Sequence, residues 1–112
     1  MRAESLKGHL DAMLLAALDH GPRHGYAVME TLRRESGGHF DLPTGTIYPA
    51  LHRLERAGLV RGRWSVANGR RRRTYELTAA GRRSLRAERT SWGEFASAVS
   101  AVLRARPRPV TP

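Results

Sequence analysis

The chain has 112 residues, enough for one domain with a single core, and it lacks cysteine, which excludes disulfides, cysteine-ligated zinc and thiol nucleophiles. Its 20 basic residues face 10 acidic ones, a net charge of +10 that suits a polyanionic partner. No stretch approaches the ~18 consecutive apolar residues of a membrane span, and the N-terminal MRAESLKGHLD carries charges where a secretory leader has its apolar region, so a cytoplasmic protein is expected.

Residues 9 to 19, HLDAMLLAALD, place apolar side chains at 10, 13, 14, 17 and 18, the stripe of a first helix. HGPRHG breaks it. YAVMETLRRESGG predicts a second helix with Tyr26, Met29 and Leu32 on one side and Gly37-Gly38 as its stop. Gly25, beside Tyr26, points to a close approach of backbone at that helix start.

LPTGTIYPALHRLERAG, residues 42 to 58, predicts a third helix. Ile47, Leu51 and Leu54 form its core ridge with Ala50 between them, and Thr44, Thr46, Tyr48, His52, Arg53 and Arg56 lie on the other side. With Thr46 as N-cap, Pro49 falls where its missing N–H costs nothing; with Thr44 as N-cap, one helical bond is lost. Either way Gly45 and Pro49 mark a helix start, and Gly58 closes the helix.

In LVRGRWSVANGRRRRTYEL, Asn68-Gly69 is a type I′ hairpin signal. A two-residue loop there sets Val60 against Leu77, Gly62 against Tyr75 and Trp64 against Arg73 on one side, with Arg61 against Glu76 and Arg63 against Thr74 on the other. Trp64 and Arg73 then form a cation–π pair. From Thr78, an N-cap, a long helix runs to about Leu103, with Leu85, Trp92 and Val99 at a spacing of seven and Phe95 and Val102 three residues on. Glu88 interrupts this seam, which has no obvious partner in its own chain. The tail RARPRPVTP reads as disordered.

Nineteen of the 20 basic residues are arginine, the better reader of phosphate and guanine. From Arg53 to Arg89 twelve arginines stand against Glu55, Glu76 and Glu88, a local excess of nine, whereas residues 1 to 52 are His-rich and nearly neutral. An ordinary basic surface is the competing reading. The element order predicts a mainly α fold with a two-stranded β wing: a winged helix-turn-helix domain over 1–78, a C-terminal dimerisation helix over 79–104 and a disordered tail over 105–112.

The blocks LLAAL, HGYAVMETL, GTIYPALHRLERAGLV and RRTYELTAAGR, in this order and spacing over roughly residues 10 to 83, resemble the PadR family of bacterial transcriptional regulators. The chain is similar to the short subfamily, in which one helix follows the wing. That resemblance implies a homodimer joined through the last helix, binding a palindromic operator in double-stranded DNA and usually repressing transcription, with release by a small-molecule effector in some members. It also implies that the Tyr48 hydroxyl meets a phosphate. Trp64 and the four consecutive arginines are not fixed features of the family pattern.

The expected DNA-binding set is Thr44, Thr46, Tyr48, Pro49, His52 and Arg53 on the third helix with Arg70, Arg71, Arg72 and Arg73 on the wing. Thr and Arg side chains reach base edges, and the wing arginines straddle phosphates. Strand alternation turns only some of those four toward DNA, and Tyr48 half-buried in the core is a second reading. Leu85, Trp92, Phe95, Val99 and Val102 are the expected dimer interface. Trp92 and Phe95 are the candidate ligand residues, with plain packing the first reading of Trp92. His20 and His24 are four apart, but HGPRH is no regular helix, so a surface loop is expected and no metal. No phosphate loop or catalytic carboxylate pair appears, so neither an enzyme nor a cofactor is expected. The function expected is sequence-specific regulation of transcription. A nonspecific architectural DNA binder and a protein-interaction adaptor are the alternatives.

Overall fold

Four helices and a three-stranded antiparallel sheet make up the computed structural model, which describes residues 9–106. In chain order they are α1 (Leu10–Ala17), β1 (Arg23–His24), α2 (Gly25–Glu35), α3 (Thr44–Arg56), β2 (Val60–Ala67), β3 (Arg70–Leu77) and α4 (Ala79–Arg104). The expected tail beyond Arg106 lies outside the described residues.

The apolar stripes of α1, α2 and α3 meet over one core. Leu14, Leu15, Leu18, Val28, Ile47, Leu51 and Leu54 are buried there, and Val60, Tyr75 and Leu77 close it from the base of the hairpin. Each such side chain contributes roughly 1.5–3 kcal/mol on leaving water. Leu85 joins the same core, and Arg89 and Trp92 reach Asp19 and His9, so the first half of α4 packs on the body. Of the expected seam, Leu85 therefore belongs to the chain's own interior, while Trp92, Phe95, Val99 and Val102 are exposed.

Helix ends follow the chemistry of their residues. Gly37 and Gly58 take positive φ, and paired bonds close each end: Gly38 N–H to Arg33 O and Gly37 N–H to Arg34 O after α2, Leu59 N–H to Leu54 O and Gly58 N–H to Glu55 O after α3. Thr78 caps α4, its Oγ1 accepting from Gly81 N–H at 3.0 Å and donating to Gly58 O at 2.6 Å. A single hydroxyl thus ties the end of α3 to the start of α4.

The hairpin has the expected register throughout, with Asn68 and Gly69 at φ 54° and 75°. Three details differ from expectation. HGPRHG contains β1, which pairs with the free edge of β3 (Arg23 with Tyr75, His24 with Thr74) and makes the sheet three-stranded. The core face of α2 runs through Gly25, Val28 and Leu32, and Tyr26 is 58 % exposed. The third helix begins one turn earlier than Thr46 and neither threonine caps it. Pro43 is the N-cap, its carbonyl accepting from the Thr46 and Ile47 N–H groups, so Pro49 sits inside the helix and one bond to Gly45 O is lost.

Candidate nucleic-acid interface

At about 100° per residue, the face of α3 opposite Ile47, Leu51 and Leu54 is the line Gly45, Pro49, His52 and Arg56, and all four are exposed. The remaining expected residues fall on two flanks. Thr46 and Arg53 lie on one, where Arg53 pairs with Asp11 of α1. Tyr48 and Glu55 lie on the other, toward the hairpin. Thr44 is exposed at the first helical position.

Tyr48 is held by Gly25. A Cβ at Gly25 would lie 2.5 Å from the Tyr48 ring and 2.7 Å from its hydroxyl oxygen, so the missing side chain is what lets the ring lie over the start of α2. The close approach expected of the backbone at Gly25 is therefore present, and its partner is the Tyr48 ring. Tyr48 is half-buried as a result, with Pro49 and His52 exposed beside it.

Between α3 and the hairpin lies an open groove of about 1020 Å³, walled by Tyr48, Pro49, His52 and Arg56 on the helix side and Trp64 and Arg73 on the hairpin side. Glu55 spans its floor, accepting from Arg73 Nη2 at 2.7 Å and from Gly62 N–H at 3.1 Å. Gly62 makes this possible, because a Cβ there would lie 2.7 Å from Arg73 Nε. Beneath them the Tyr75 hydroxyl is buried without a hydrogen-bond partner. Burial pushes its pKa above the ordinary phenol value, against the opposing charge of Arg73.

The four consecutive arginines separate by strand alternation. Arg71 and Arg73 share the Trp64 face, their guanidinium carbons 4.7 and 5.5 Å from the ring centroid. Arg70 and Arg72 take the other face. Arg70 is exposed, while Arg72 Nη1 lies 3.1 Å from Nε2 of His24. His24 Nδ1 in turn accepts the Ala27 N–H that caps α2. The cap uses the one unprotonated nitrogen of the neutral ring, and burial, followed by the Arg72 charge, holds the imidazole below its ordinary pKa. His24 is thus the cap of α2, and among the described residues no group of three or more His, Asp or Glu is placed to hold a metal.

Sequence reasoning missed Asp11 as the partner of Arg53 and Glu55 as the bridge to the hairpin. The second had one local signal: Gly62, on the same strand face as Trp64, leaves room for the Arg73 guanidinium to lie across it toward α3.

A second hollow, of about 510 Å³, opens between α1 and α4, with Met13, Ala16, Phe40, Leu85, Trp92 and Phe95 on its walls. His9 meets Trp92 edge-on at 5.0 Å, and Trp92 meets Phe95 at 5.9 Å. No helix among the described residues is long and apolar enough to cross a membrane.

The profile of the Transcriptional regulator PadR-like family matches residues 14–87. Transcriptional regulator Rv3488 of Mycobacterium tuberculosis is 40 % identical over 76 residues, 68 % of each chain. A PadR-like transcriptional regulator from Bacillus cereus superposes with a TM-score of 0.82 at 26 % identity, over 93 % of this chain and 100 % of that one. Bacillus subtilis PadR in complex with operator DNA shares the fold at a TM-score of 0.63 and 24 % identity, over 92 % of this chain and 51 % of that one.

Proposed function

The chain belongs to the PadR-like family of transcriptional regulators, and from that premise we propose that it binds a palindromic operator in cytoplasmic duplex DNA as a homodimer and represses transcription. The observation that carries the reading is the juxtaposition of the exposed α3 line with an arginine-bearing hairpin across one open groove. The helix line has the width and polarity to enter a major groove, and Arg70 and Arg71 beside it meet the phosphates. Bacillus subtilis PadR, which shares the fold, is itself in complex with operator DNA.

Pairing of two copies is supported by α4, which exposes Trp92, Phe95, Val99, Val102 and Leu103 along the outer half of its rod. A two-fold axis through that rod presents two copies of α3 to one face of DNA, with half-sites about 34 Å apart. The hollow beside Trp92 supports release by a flat apolar effector, which would stack where α1 and α4 diverge.

Thr44, Thr46, Tyr48, Pro49, His52 and Arg53 are read as the groove-entering set, with Arg53 exchanging Asp11 for DNA on binding. Selection of bound duplexes from a random pool tests the whole reading. It should enrich a two-fold symmetric site bound at least ~10³-fold more tightly than random sequence. A pool that stays unenriched while duplex still binds would instead establish the architectural role.

A further inference from the structure

Trp64 is the least explained side chain of the hairpin. Its strand has already left the core at that point, and the indole is 60 % exposed, so it stabilises no interior. It carries two guanidinium groups instead, Arg71 at 4.7 Å and Arg73 at 5.5 Å. Their commitments differ. Arg73 is bonded to Glu55 and fixes the hairpin against α3. Arg71 is exposed and takes part in none of the ion pairs among the described residues. Its guanidinium lies against the ring.

We propose that Trp64 is a positioning residue for DNA: it holds the Arg71 guanidinium at the rim of the groove for one backbone phosphate of the bound duplex. The inference rests on the DNA-binding reading given above. A guanidinium stacked on an indole keeps its N–H edge free, and that edge matches a phosphate in bidentate fashion. Stacking also removes most of the rotamer freedom that a long side chain otherwise loses on binding. The ring itself is set by the wing register, which places it opposite Arg73, and Arg73 is held by Glu55. A chain of contacts therefore runs from α3 through Glu55, Arg73 and Trp64 to Arg71. A free wing arginine thereby acquires a fixed distance from the helix that enters the groove.

The test is a double-mutant cycle on the full chain with a short labelled duplex of random sequence, read by anisotropy at several salt concentrations. Arg71→Ala should weaken binding and lower the slope of log K against log salt by roughly 0.9. Trp64→Ala should weaken binding about 2- to 5-fold, the range of an exposed cation–π contact. It should add nothing in the Arg71→Ala background, and Trp64→Phe should recover part of the loss. With Trp92→Phe as parent, Trp64 is the one tryptophan left, and its emission should change on adding unlabelled duplex. Equal losses from Trp64→Ala with and without Arg71 would overturn the proposal, as would an unchanged affinity of Trp64→Ala beside a weakened Arg71→Ala. In both cases the DNA-binding reading would stand. Failure of the unmodified chain to bind duplex would remove that reading and this proposal with it.

Discussion

Gly81 sits in the first turn of α4 against the start of β2, and Gly81→Ala puts the packing of that helix to a quantitative test. A Cβ at Gly81 would overlap the Leu59 carbonyl oxygen, lie 3.0 Å from the Leu59 carbonyl carbon and 3.3 Å from Leu77 Cδ2. Two of the three neighbours are backbone and cannot rotate away, so relief requires the helix to move on the order of 1 Å. That movement strains the bond from Thr78 N–H to Leu59 O, now 3.1 Å, and loosens Leu85 from the core. Overpacking of this kind costs about 1–3 kcal/mol, and the weakened hydrogen bond about 1 kcal/mol more. Replacing glycine within a helix returns about 0.5–1 kcal/mol. The net loss is about 1–3.5 kcal/mol, a fall in Tm on the order of 5–20 °C for a domain of this size. Gly93, in the same helix with open space around it, supplies the control: Gly93→Ala should gain about 0.5–1 kcal/mol. Circular dichroism melts at matched protein concentration give both values. A Gly81→Ala variant that melts at or above the unmodified chain would show that α4 does not pack as described.

Val99→Glu combined with Val102→Glu places two carboxylates on the exposed stripe and should give monomers in sedimentation velocity; an unchanged mass would remove that stripe from the interface. Arg70→Ala should lower the salt slope of duplex binding by roughly 0.9, whereas Arg73→Ala, which strands Glu55, should cost about 1–2 kcal/mol of fold stability. Parallel binding and melting curves separate the two effects, and an Arg73→Ala chain that melts normally would refute the bridging role of Glu55. Because the folded state holds His24 below its ordinary value of 6.5, the unfolded chain takes up the proton first as pH falls. Stability should therefore be flat above about pH 6.5 and decline below it. His24→Asn keeps a capping acceptor without titrating and should flatten that decline, so identical urea-denaturation profiles for the two chains across this range would refute the role.

Much of this arrangement was legible from local rules. Asn68-Gly69 leaves one hairpin register, because strand period and turn geometry agree, and every expected pair from Val60–Leu77 to Trp64–Arg73 is present. Thr78 caps the last helix, and Gly58 ends the third, for equally local reasons. What escaped is tertiary in origin. Two residues of β1 have no period to read and exist as a strand only because β3 offers a free edge. Tyr26 and Val28 are both apolar enough to face inward, and the packing of α2 on α3 decides between them. Pro43 caps through its carbonyl, so no side chain announces it. An outer face of α3 was apparent from the Ile47, Leu51, Leu54 ridge. Its division into an Asp11 flank and a hairpin flank depends on which elements lie to either side.

The shared hydroxyl of Thr78 has a mechanical consequence. At about 1.5 Å per residue, the 26 residues of α4 make a rod of roughly 39 Å whose root is pinned to the end of α3. A change of about 5° at that root sweeps the far tip through roughly 3 Å, by the same helix geometry. Were two copies joined along their rods, the relation would run both ways: a small shift between the tips would return to the two α3 helices as a change of tilt. The spacing of the two α3 helices in such a pair would then depend on the angle at which α4 leaves the body beside Thr78.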